Sequence, residues 1–163
     1  MDRIEQVRSS LIEKVKHLDN EQLTLAPSEG KWSILQIIEH LVLAERDVLG
    51  NPSIIERRKP YQQNWKNVFG YYIVIGILRS IIKVPVPTRS MIPRGKKSLE
   101  ELIADWDENH AALKTHLKLE AEGKRNGVYF KHPVSGPVTT KQALTMLEVH
   151  LNRHIKQINA ILK

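Results

Sequence analysis

The fold turns on residues 139–161, TTKQALTMLEVHLNRHIKQINAI. Ala143, Met146, Leu147, Leu151, Ile158 and Ile161 recur at steps of three and four, which is the apolar stripe of an amphipathic α-helix. Thr139, followed three residues later by Gln142, has the pattern of a capping box and sets the helix start. His150 and His154 fall within or beside the same stripe. Four residues apart, their imidazoles project from one side of the helix, about one turn from each other. Polar rings on a core-facing stripe need partners for their nitrogens, and a metal ion is one way to supply them. The residues between them are Leu-Asn-Arg, with no glutamate, so the zinc-protease helix motif is absent.

Three further segments carry the same periodicity. Residues 2–18 place Ile4, Val7, Leu11, Val15 and Leu18 on one face. Ser33-Ile-Leu-Gln36 is a second capping box, with Trp32 just ahead of it, and opens a stripe of Ile34, Ile37, Ile38, Leu41, Ala44 and Val48. Gly50-Asn51-Pro52 ends that helix. Ser98-Leu-Glu-Glu101 opens another, with Leu99, Leu102, Ile103, Trp106, His110, Leu113 and Leu117 along one side.

Between the second and third of these long helices, residues 51–64 read as a polar, basic loop. Residues 65–83 read as a helix, although Tyr71–Ile75 is aromatic and β-branched enough to suit a strand. VPVPTRSMIPRGKK, residues 84–97, is a proline-rich connection that cannot continue a helix. Gly123 and Gly127 bracket a loop with a short strand near Val128-Tyr129-Phe130, followed by the turn-rich His132–Pro137. The expected fold is all-α: a single domain over residues 1–163, a four-helix bundle with long connections and an additional helical segment between the second and third main helices.

Composition narrows the function. With 163 residues, 41% hydrophobic and 26% charged, the chain suits one globular domain with a sizeable core. It has no cysteine, which rules out a disulfide, a thiolate nucleophile and a cysteine-based zinc site. It also fits a cytoplasmic location. The N-terminus lacks the apolar core and cleavage site of a signal peptide. The most apolar stretch, Val68–Leu78, is shorter than the roughly 20 residues needed to cross a bilayer. The net charge of +7 is spread over short clusters (Arg57-Arg58-Lys59, Arg94 with Lys96-Lys97, Lys124-Arg125) without interleaved aromatics, which disfavours nucleic acid. A membrane partner is disfavoured as well.

His40, next to the apolar Ile37, Leu41 and Ala44 on the second long helix, adds a third inward imidazole. Histidines on two facing helices make a bundle-type metal site, and three protein ligands leave a position open for water or substrate. Lys31-Trp32-Ser33 with Ile38-Glu39-His40-Leu41, then His132-Pro133 with Gly136 and Thr139, then His150-Leu-Asn-Arg-His154 with Ile155 and Gln157, together resemble the DinB-like (DinB/YfiT) superfamily over nearly the whole chain. That superfamily includes metal- and thiol-dependent S-transferases that use bacillithiol or mycothiol. The resemblance implies that His40, His150 and His154 bind a divalent metal, most often zinc or nickel.

The leading expectation is therefore an enzyme whose metal activates a low-molecular-weight thiol or water for transfer to, or hydrolysis of, a small electrophile. The alternative is a non-catalytic metal-binding or stress-response module. Any thiol must come from a co-substrate. The expected partner is a small-molecule substrate, with a homodimer left open. His132 is read as fixing its loop, His110 as a core or rim residue, and His17 and His116 as surface residues. Gln36, Asp47, Glu148 and Gln157 are candidates to hold the ligand rings, Asp47 being favoured.

Overall fold

The computed structural model describes residues 2–49, 63–80, 88–122 and 128–163. Six α-helices lie among the described residues: α1 (Asp2–Val15), α2 (Asn20–Thr24), α3 (Ile34–Leu49), α4 (Trp65–Arg79), α5 (Leu99–Ala121) and α6 (Thr140–Ile161). A hairpin, β1 (Val128–His132) with β2 (Gly136–Thr139), precedes α6, and a short 3₁₀ turn at Arg89–Met91 precedes α5. The long helices α1, α3, α5 and α6 form an all-α four-helix bundle.

The capping boxes act as the sequence implies. Thr139 and Gln142 bond reciprocally at the start of α6, as do Ser98 and Glu101 at α5 and Ser33 and Gln36 at α3. Each stripe then turns into one core. Ile4, Leu11 and Val15 meet Ile34, Ile38 and Leu41, Leu102, Trp106 and Leu113, and Ala143, Leu151 and Ile158. Full burial of side chains of this size contributes about 1.5–3 kcal/mol each.

Several expectations need correction. The first helix stops at Val15 instead of residue 18, and a separate five-residue helix, α2, follows, capped by Asp19 with Gln22. His116 is buried, not on the surface: it lies three residues past Leu113 on the core stripe of α5. His17 is exposed, as expected. Tyr71–Ile75 is helical, and α4 ends at Arg79, where Ser80 caps it. The expectations for the 51–62 loop, for residues 81–87 and for the clusters Arg57-Arg58-Lys59 and Lys124-Arg125 lie outside the described residues. No helix among the described residues is long and apolar enough to cross a membrane.

Candidate metal centre

His40, His150 and His154 come together where α3 faces α6. Nε2 of His150 lies 3.2 Å from Nε2 of His40 and 3.0 Å from Nε2 of His154. His40 and His154 are buried, and His150 is half-buried.

Partners on the far side of two rings decide their tautomers. His40 Nδ1 donates to the Met91 carbonyl at 2.8 Å, and His154 Nδ1 donates to Oε1 of Gln157 at 2.6 Å. A carbonyl or amide oxygen only accepts, so both Nδ1 atoms carry hydrogen and both Nε2 atoms present lone pairs. His150 has one hydrogen to offer at Nε2 and cannot satisfy both neighbours. At least one lone pair therefore faces another nitrogen unless a cation stands between them.

Protonation is a poor remedy. Burial lowers the pKa of His40, though the Met91 contact works against it. Burial and the neighbouring His40 push His154 down to about 3. Burial, followed by the nearby His154, His40, Arg153 and His132, holds His150 well below its ordinary value. Three neutral imidazoles remain at neutral pH, which is the form that binds metal. Metal–nitrogen bonds of about 2.0–2.1 Å in tetrahedral geometry put ligand nitrogens roughly 3.3 Å apart, close to the two separations that His150 makes, and all three ligand nitrogens lie within 4.8 Å of one another. The residues fit a divalent cation.

The supporting contacts were partly legible in advance. Gln157 holds His154, as one of the four candidates predicted. The other three are occupied elsewhere. Gln36 closes the α3 cap, Glu148 pairs with Arg3 at 2.7 Å, and Asp47, the favoured one, accepts from Ser90 and from Thr88. Met91 supplies the His40 contact through its main chain, which no residue-type pattern announces.

Glu39, part of the Ile38–Leu41 motif but given no role by the sequence, accepts from the backbone N–H groups of Arg94 (3.0 Å) and Gly95 (2.7 Å). Together Glu39 and Asp47 fasten the segment that carries Met91 against α3, so they position His40 through that carbonyl.

The three imidazoles line a cavity of about 940 Å³, whose walls include Trp32, Val74, Leu78, Met146 and Leu147. The Trp32 ring packs on His40 with centroids 4.8 Å apart. His132 also lines the cavity. Its Nδ1 accepts from the backbone N–H groups of Val134 (3.1 Å) and Ser135 (3.2 Å), which fixes the turn as expected and puts the ring hydrogen on Nε2. Arg153 reaches from α6 to the carbonyls of Ile77 (3.1 Å) and Ser80 (2.6 Å), tying down the end of α4.

His110 takes no part in this centre. It is buried between α1 and α3, with Nδ1 2.7 Å from Glu5 and Nε2 3.2 Å from Glu45, and Trp106 Nε1 donates to Glu45 at 2.7 Å. It is a core histidine, one of the two roles expected of it.

The fold matches a solved structure described as TT2238, a four-helix bundle protein. The TM-score is 0.58 at 22% identity, over 98% of this chain and 94% of that one. No curated protein matches the chain. The sequence profile of the DinB superfamily matches residues 3–158, a span that contains the bundle, the hairpin and all three converging histidines, and the chain belongs to that superfamily.

Proposed function

We propose that the protein is a divalent-metal-dependent enzyme that activates a low-molecular-weight thiol, or water, for transfer to or hydrolysis of a small electrophilic substrate. The observation that carries this reading is the convergence of three neutral Nε2 atoms on the wall of a cavity with the volume of a small-molecule site. His40, His150 and His154 would hold the ion, and all-imidazole ligation suits zinc or nickel. A divalent ion there supplies Lewis acidity that brings the pKa of a thiol or water toward neutrality.

The chain's own residues do the remainder. Met91 and Gln157 keep two ligand lone pairs aimed inward. Trp32, Val74, Leu78 and Met146 offer apolar surface to the hydrocarbon part of an electrophile. With no cysteine in the chain, a thiol nucleophile enters as a co-substrate, and membership of the DinB superfamily makes bacillithiol or mycothiol the first ones to try.

Metal analysis of the purified protein tests the site, with about one equivalent of zinc or nickel expected and loss of that metal in His40→Ala and His150→Ala. Retention of stoichiometric metal by both variants would remove the proposed centre. Turnover of a chlorinated nitroarene or an epoxide with a panel of thiols tests the chemistry. Bound metal without turnover across the panel favours the alternative, a non-catalytic metal-binding module.

A further inference from the structure

Helix α4 is apolar on both sides. Tyr71, Val74 and Ile75 are buried against α6 and the hairpin. On the opposite side, Trp65 is 74% exposed, Phe69 63% and Tyr72 66%, with Ile73 also open. Positions 65, 69, 72, 73 and 76 share one helical face, so these side chains form one continuous stripe. Exposed apolar patches of this kind mark interaction surfaces.

Charge selects the occupant. The only charged residues on α4 are Lys66 and Arg79, one at each end and both exposed, and the helix carries no acid. A second copy docking through this face would set Lys66 against Arg79 when antiparallel, or like against like when parallel. Both arrangements bring cations together with no carboxylate on either helix to offset them. The whole chain carries +7.

We infer that the outer face of α4 docks on an anionic lipid surface, with Trp65, Phe69 and Tyr72 in the headgroup–acyl boundary and Lys66 and Arg79 on the headgroups. Tryptophan and tyrosine suit that boundary because each has an apolar body and a polar edge. A helix lying in the interface needs this combination of aromatic face and flanking cations. Val74, Ile77 and Leu78 on the inner side of α4 line the cavity, so docking sets one wall of the apolar cavity against a source of lipophilic molecules. Docking requires no metal in the histidine centre, so it stands or falls separately from the proposed reaction.

Co-sedimentation of the protein with phosphatidylcholine vesicles, with and without phosphatidylglycerol, tests this. Binding at least roughly tenfold tighter to the anionic vesicles is expected, falling by about as much in a Phe69→Ser/Tyr72→Ser variant. Lys66→Glu/Arg79→Glu should lose the preference for phosphatidylglycerol. Both variants change exposed positions, and an unchanged far-ultraviolet circular dichroism spectrum confirms that they fold. Undiminished binding of the Phe69→Ser/Tyr72→Ser variant, or no binding to either vesicle, would overturn the inference. So would a dimer in light scattering that this variant dissociates, since a second copy would then cover the face.

Discussion

His40 and His154 each spend one ring nitrogen on an oxygen that can only accept, and this decides which atom faces the centre. Gln157 is the side-chain half of the arrangement. Gln157→Leu keeps the bulk and removes the acceptor. Metal affinity, measured by competition with a chromophoric chelator, should fall by about 10–100-fold, with His154 still present and the fold intact. Unchanged affinity would show that the amide does not set the tautomer. At this scale the sequence was informative where side chains speak to side chains. His150, His154 and Gln157 share one helix and one spacing rule. The contact to His40 was not legible, because a main-chain carbonyl can belong to any residue. Asp47 does not hold a ligand ring for a related reason: its carboxylate accepts from hydroxyls in the proline-rich connection, at Ser90 and Thr88.

Elements were legible in proportion to their length and capping chemistry. Four long helices start where their capping boxes or polar first turns put them. The five-residue α2 escaped notice although Asp19 and Gln22 have the same pattern, since one turn of helix has no periodicity to reveal it. For α4 the trouble is the reverse: an apolar residue on either side blurs the stripe, and only packing separates the inner from the outer face.

The hairpin meets α4 very closely. A Cβ on Gly70 would stand 3.1 Å from Cα of Ser135, and one on Gly136 would stand 2.7 Å from the Asn67 side-chain nitrogen. Gly136 also has a φ of +72°, which side-chain-bearing residues rarely adopt. Gly136→Ala should cost about 1 kcal/mol or more in urea unfolding, while Gly76→Ala, with open space around it, serves as the control. Equal stabilities of the two variants would contradict the close packing of turn and helix.

Across the whole molecule, a second polar system lies on the other side of α3 from the three converging histidines. Arg8 bonds Glu5 (3.0 Å) and Asp107 (2.7 Å), and Glu5, His110, Glu45 and Trp106 continue the chain of contacts into the core. Burial alone would raise the Glu5 pKa, but hydrogen bonds from Arg8 and His110 and the Arg8 charge hold it at about 2 against a usual 4.5. A carboxyl depressed in the folded state contributes stability that is complete above its unfolded pKa and is lost as pH falls toward the folded one. Unfolding midpoints should therefore drop between about pH 4.5 and 2, and Glu5→Gln should flatten that limb. An identical acid profile in the variant would assign the loss to other groups. Nothing in the sequence joined these residues, because they sit on three helices and meet only once the bundle has formed.

The polar systems on the two sides of α3 limit how this helix can seat itself. Smooth apolar stripes leave a bundle with near-degenerate arrangements, in which a helix slides by one turn or rolls slightly and buries almost the same area. In α3, a one-turn slip that brought another residue beside His150 would carry Glu45 away from the Trp106 indole and leave a carboxylate stranded in the core. A roll that kept Glu45 in place would take His40 off the Met91 carbonyl. Glu39, fastened to the backbone at Arg94 and Gly95, opposes both movements. Two hydrophilic anchors five residues apart thus act as a key cut on both edges, admitting one seating of the helix where an oily surface alone would accept several.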